Sequence, residues 1–173
     1  MQSPQSSSSS SLRPLQQPMR MDLCQMLRPT PLACIQVLQA SGIVLDQRLP
    51  DEPLPVDVND HELALLLSNV AHIACHAMQG GGTLQLLARS EGSRAVVHFM
   101  DAGNDACVAG LAQLFCKPDE RAAGYVRACE LIVHQHGGRI YAAPSSLGSL
   151  GLTLRLPLLP SLAPAAAMRP TWQ

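Results

Sequence analysis

Aromatic side chains are scarce, with one Trp, two Tyr and two Phe making up 3% of 173 residues. A core must therefore come from Leu, Val, Ile, Ala and Met, and the 47% apolar content is ample for one. Charge is also thin, at 14% of residues and a net −1, with a pI near 6.6. No global field then draws the chain to nucleic acid or to an anionic membrane, and no basic stripe with interleaved aromatics is present. No run approaches the roughly 20 apolar residues of a membrane span. No charged start followed by an apolar stretch opens the chain, so a secretory signal is not expected. There is no CxxC pair. The six cysteines (Cys24, Cys34, Cys75, Cys107, Cys116 and Cys129) lie mostly in apolar stretches and are expected to be reduced, small hydrophobes in a cytoplasmic protein. No internal repeat is visible.

The length fits one domain with ragged ends. Residues 1–21 are rich in Ser, Gln and Pro and contain no acid; they cannot bury enough apolar surface to offset the entropy of ordering and are expected to be disordered. Residues 159–173, rich in Pro and Ala, are read the same way. The folded domain is expected over residues 22–158.

Within it the pattern alternates between helix and strand. A helical turn over 22–27 is interrupted by Pro29 and Pro31. Pro31 suits the first position of a helix over 32–40, and Gly42 ends it. Residues 43–49 alternate as a strand. Asn59 or Asp60 can cap a long helix in which Leu63, Leu66, Leu67, Val70, Ile73, Ala74 and Ala77 share one face, and Glu62 favours its dipole. Gly80, Gly81 and Gly82 stop that helix. Strands over 83–89 and 95–100 come next, joined by a turn at Glu91, Gly92 and Ser93. A short helix is expected over 109–115 and a polar loop over 116–122. A second amphipathic helix over 125–136 ends at Gly137 and Gly138. Strands over 139–143 and 151–157 close the domain. The fold class is α+β: a two-layer α/β sandwich with a mixed sheet of about five strands and about three helices on one face.

The order and several motifs resemble the ATP-binding (catalytic) domain of sensor histidine kinases, in the superfamily that includes gyrase and Hsp90. The resemblance spans roughly residues 32–158. It is carried by Asn69 in the long helix, DAGND at 101–105, LAQLF at 111–115, and above all HGGRI at 136–140 with LRLPL at 154–158. The resemblance implies a nucleotide site at Asn69, Asp101 and Gly103, with Asp101 accepting a hydrogen bond from the adenine amino group.

The phosphate and metal positions of that site depart from the family's pattern. Ile73 stands where a second Asn would coordinate Mg²⁺, and its side chain offers no oxygen to an ion that demands oxygen ligands. Asp105 replaces the second glycine of the Asp loop, adding a side chain and a negative charge. The glycine box opening the last helix reads RAAGYVRA, placing Arg121, Ala123 and Tyr125 at the glycine positions; Gly124 matches only with a shift of one. Those glycines let backbone N–H groups at a helix N-terminus cradle phosphate, and Tyr125 would crowd that approach. Residues 1–31 contain no histidine, so the phosphoacceptor hairpin is expected to be lacking.

Other constellations weigh less. His72, Cys75 and His76 have metal-compatible helical spacing, but no fourth ligand is placed and a half-exposed face is the simpler reading. Lys117, Arg121 and Arg127 read as solvated surface, and His134 and His136 as complements to a helix C-terminus.

The expectation is a non-catalytic signalling module with a degenerate histidine-kinase ATPase fold. It has no catalytic residue and no metal site, and Asn69, Asp101 and Gly103 remain as a vestigial nucleotide site. It would act by protein–protein interaction as an inhibitor, adaptor or phosphorelay component. Its expected partner is a histidine kinase, a response regulator or a similar signalling protein, and a homodimer is compatible. No cofactor is expected. The alternative is an ATP- and Mg²⁺-binding protein kinase domain acting in trans.

Overall fold

The computed structural model describes residues 20–102, 110–144 and 150–160. The disordered tails expected at either end lie outside these residues, apart from residues 20–21 and 159–160. There the structure corrects the boundaries. Arg20–Asp22 forms a strand, β1, that pairs antiparallel with Pro55–Asp57 (β3), Met21 opposite the fully buried Val56. The Leu159 N–H likewise donates to the Pro55 carbonyl at 2.8 Å. Strands of three residues carry no readable alternation, and their partners lie far along the chain. Composition alone therefore assigns Arg20 and Met21 to the tail.

Asp22 fastens this ribbon to the first helix and to the loop before β3. Its Oδ1 accepts the Cys24 N–H at 3.0 Å, capping helix α1 (Leu23–Leu27), and the Leu54 N–H at 2.9 Å. Helix α2 (Leu32–Ala40) covers the expected residues, but Pro31 is its cap and not its first helical position: it has φ −51° and ψ 131° and accepts the N–H groups of Cys34 and Ile35 through its carbonyl. Strand β2 (Ile43–Arg48) leads through β3 to α3 (Asp60–Ala77), the 18-residue central helix. Asn59 caps α3 reciprocally: Oδ1 accepts the Glu62 N–H at 2.8 Å, while Nδ2 donates to Glu62 Oε2 at 2.6 Å. This arrangement satisfies one orphan donor and places two acids, Asp60 and Glu62, at the positive end of the helix dipole.

Gly81 turns the chain out of α3 with φ 77°, and a Cβ there would lie 2.7 Å from the Gly42 carbonyl oxygen. Only glycine fits both the backbone conformation and the approach. The hairpin of β4 (Gly82–Glu91) and β5 (Arg94–Ala102) then runs with Glu91 opposite Arg94. After α4 (Gly110–Cys116) and α5 (Ala123–Gln135), β6 (Arg139–Pro144) and β7 (Leu150–Pro157) complete the sheet. Its strand order is β2-β4-β5-β7-β6; β2 and β4 are parallel and every other pair is antiparallel.

The expected two-layer α+β sandwich with a mixed five-stranded sheet is therefore present. One sheet face, with Leu84, Leu86, Val97, Phe99, Leu152 and Leu154, shares a single core with Leu66, Val70 and Ile73 of α3 and Cys129, Ile132 and Val133 of α5. The core is aliphatic, as the shortage of aromatics requires, with Phe99 its largest fully buried side chain.

The other sheet face carries a polar group that sequence patterning does not assemble. Glu91 accepts a hydrogen bond from Arg89 and one from Arg155 Nη2 at 2.7 Å, and these contacts hold its carboxyl below the ordinary range. Beside them His98 is buried, its Nδ1 2.9 Å from Thr153 Oγ1. Burial, reinforced by the Arg89 charge, pushes its pKa down.

Candidate functional site

The residues singled out in the sequence lie on α3, at the end of β5 and at the start of α5. Asp101 is the last residue but one of β5 and is half-buried. Its Oδ2 accepts the Leu111 N–H at 3.4 Å, so this carboxylate steadies the first turn of α4. Gly103 and Asp105 lie outside the described residues. Asn69 is buried on α3, with 8% of its surface exposed, and its Nδ2 is enclosed with no acceptor among the described residues. A buried amide donor left in that state is costly, roughly 1–3 kcal/mol.

One turn further along α3, Ile73 is fully buried and belongs to the main core. It contributes only carbon atoms to its surroundings. Across the helix pair, Tyr125 stacks on His72 with ring centroids 4.6 Å apart and planes 9° apart, while His76 approaches the same ring at 6.2 Å. The start of α5 thus packs flat against the second half of α3. At the opposite end of the same seam, His136 Nε2 lies 2.9 Å from Glu62 Oε2, an ion pair when the imidazole is protonated. His136 therefore bridges two helices, a role beyond that of a dipole complement.

The N-terminus of α5 is provisioned from within the chain. Ala122 offers no capping side chain; instead Asp119 Oδ1 accepts the N–H groups of Arg121 at 3.0 Å and Ala122 at 2.8 Å. A carboxylate thus sits at the end of the helix where the dipole favours an anion. Gly124 is not held to glycine by its surroundings, since a Cβ there meets no atom within 4 Å.

The histidine–cysteine spacing on α3 does not converge. His72 and His76 turn toward Tyr125 on α5, whereas Cys75 donates its thiol to the Val37 carbonyl on α2 at 3.5 Å. The spacing is legible in sequence, but the two neighbouring helices draw the side chains apart.

The sequence matches no family model and no curated protein. Its three-dimensional form does have counterparts. The catalytic domain of the histidine kinase ThkA, in nucleotide-free form, superimposes with a TM-score of 0.62 at 15% identity, over 82% of this chain and 97% of that one. This chain has the fold of a histidine-kinase catalytic domain. The Acinetobacter baumannii histidine kinase AdeS gives a TM-score of 0.59 at 15% identity, over 82% of this chain and 67% of that one. The mycobacterial sensor histidine kinase MprB gives 0.55 at 15% identity, over 82% and 99%.

Ile73 carries no oxygen that a Mg²⁺ ion could use, Tyr125 stacks on His72 beside α3, and the Asp119 carboxylate takes up the N–H groups of the two residues just before α5. Asp119 is easily missed in sequence because it precedes the helix by several residues in a polar loop. An Asp a few residues before the first apolar helical position is the signal that finds such an anion. No helix among the described residues is long and apolar enough to cross a membrane.

Proposed function

We propose that the chain is a non-catalytic signalling module on the histidine-kinase catalytic fold. It works by protein–protein interaction in a two-component or related pathway, as an inhibitor, adaptor or phosphorelay component. Its partner on this reading is a histidine kinase, a response regulator or a similar signalling protein in the cytoplasm, and a homodimer is compatible with the fold. Asn69, Asp101 and Gly103 are then remnants of a nucleotide site. The observation that carries the reading is Ile73, fully buried in the core at the position where the family resemblance implies an oxygen ligand for Mg²⁺. The stack of Tyr125 on His72, which packs the start of α5 against α3, adds to it. Chemistry supports this reading as well as sterics. An incoming polyphosphate would meet the Asp119 carboxylate at the α5 N-terminus, where two like charges repel.

A second reading draws on Asn69, whose enclosed Nδ2 has no acceptor among the described residues. On that reading the domain binds ATP with Mg²⁺ and acts in trans as a protein kinase. Isothermal titration calorimetry with ATP and Mg²⁺ separates the two. The non-catalytic reading expects no binding tighter than about 1 mM. Mg²⁺-dependent binding in the micromolar range would overturn it.

A further inference from the structure

The five-stranded sheet ends in β6, and its outer edge has no partner strand among the described residues. Beside that edge, between β6 and the outer face of α5, runs a groove of about 900 Å³. Ile140 and Gly138 line it on the strand side, and Leu131, 58% exposed, lines it on the helix side. Gly138 keeps strand and helix close: a Cβ there would lie 2.5 Å from the Arg155 carbonyl oxygen and 2.9 Å from Val133.

The groove is cationic in a chain that is otherwise nearly neutral. Arg127 and Arg139 both line it and are exposed, and neither guanidinium bonds to a described residue. Arg155 also lines it, although its charge is shared with Glu91. Glu130 is the one carboxylate in the lining among the described residues.

An open strand edge is a template for further pairing, and proteins usually blunt it with proline, bulges or a covering element. Here Pro144 closes only the far end of the six-residue strand. An edge strand alongside a helix is also the geometry by which domains such as PDZ and PTB take up an extended peptide. The opposite edge, β2, has a smaller groove of about 350 Å³ beside α2, and no charged residue lines it among the described residues. Charge therefore distinguishes the β6 edge.

We infer that the groove between β6 and α5 binds an extended, acidic segment of a partner protein, which adds to the sheet as a sixth strand. Its backbone pairs with β6; side chains on the α5 face are apolar and pack on Leu131, alternate carboxylates on the opposite face meet Arg139, and a carboxylate at the end of the segment meets Arg127. The inference deepens the proposed protein-binding role and rests on it, but its test does not involve nucleotide.

The probe is a fluorescein-labelled peptide alternating glutamate and valine, matched in length to β6 and followed by fluorescence polarisation on the full chain. The peptide is expected to bind in the micromolar range. Its affinity should fall at least about tenfold in the double variant Arg127→Glu/Arg139→Glu, whose exposed positions leave the fold intact by circular dichroism. Methylating alternate backbone nitrogens of the peptide, with its charge unchanged, should abolish binding, and amide exchange over residues 139–143 should slow in the complex. The inference is overturned by no binding, by binding indifferent to charge reversal or N-methylation, or by protection at β2 instead. Pairing of two copies of this chain through β6 would overturn it too. A silent nucleotide calorimetry alongside failed peptide binding would leave the non-catalytic reading standing and remove only this surface.

Discussion

Replacing Ile73 with Asn, the residue type that the family resemblance implies at this position, tests whether the helix has been converted from cleft wall to core. Ile73 is fully buried within the main core. Removing most of a buried Ile side chain costs roughly 2–5 kcal/mol through lost transfer energy and an imperfectly filled cavity. Enclosing an amide without partners adds about 1–3 kcal/mol. Asn retains part of the volume, so Ile73→Asn should lower stability by about 4 kcal/mol, a large share of the roughly 5–15 kcal/mol typical of a domain. Ile73→Val, which deletes one methyl group, should cost only about 1 kcal/mol. Urea denaturation followed by circular dichroism reads both. With a slope of about 2 kcal/mol per molar, the Asn variant should unfold about 2 M earlier and the Val variant about 0.5 M earlier. A loss below about 1 kcal/mol for Ile73→Asn would refute the reasoning, because it would mean that the amide reaches water in an open cleft.

Particular contacts give three further expected outcomes. His98 is held neutral by burial and by Arg89. As pH falls below about 6.5 the unfolded chain takes up a proton that the folded chain resists, so stability should decline on acidification. His98→Gln should flatten thermal-melt midpoints between about pH 7 and pH 5, above the window near pH 4.5 where protonation of Glu91 begins to remove its own contribution. Burial pushes the thiols of Cys34 and Cys129 up to about 11 and about 12, while Cys116 is exposed. Iodoacetamide at about pH 8 should therefore label Cys116 in the native chain and the other two only in denaturant, by peptide mapping. Asn59→Ala removes both halves of the α3 cap and should cost about 1 kcal/mol, lowering the melting midpoint by about 2–4 °C.

The long helix, the hairpin and the end of α5 are legible in the sequence because each has a local cause: Asn59 at a cap, Gly92 at a tight turn, Gly137 at φ 65° after the last helical residue. Strands β1 and β3 are not, since each is three residues long and gains its meaning only from the other. Pro31 is misplaced by one position because a residue with fixed φ suits both a cap and the first turn, and only ψ tells them apart. In the site, Asn69 and Ile73 can be placed one helical turn apart by period alone. The partners of that turn cannot. His72 meets Tyr125 only because α3 and α5 pack together on one sheet face, and Asp119 reaches the α5 N-terminus through a loop whose path no periodicity encodes.

The α3–α5 seam is fastened at both ends, by His72 with Tyr125 and by Glu62 with His136, yet neither fastening is strong enough by itself to exclude a ligand. An aromatic stack contributes about 0.5–1.5 kcal/mol, and a partly exposed ion pair about 1 kcal/mol or less. Opening the seam would therefore reduce the affinity of a fitting ligand by no more than about two orders of magnitude, a loss that tight binding can absorb. On the proposed reading the loss beneath it is not recovered by motion, because no rotation of α3 gives the fully buried Ile73 an oxygen. On the proposed reading, the barrier to nucleotide chemistry thus lies in the identity of the buried residues more than in the closure that hides them.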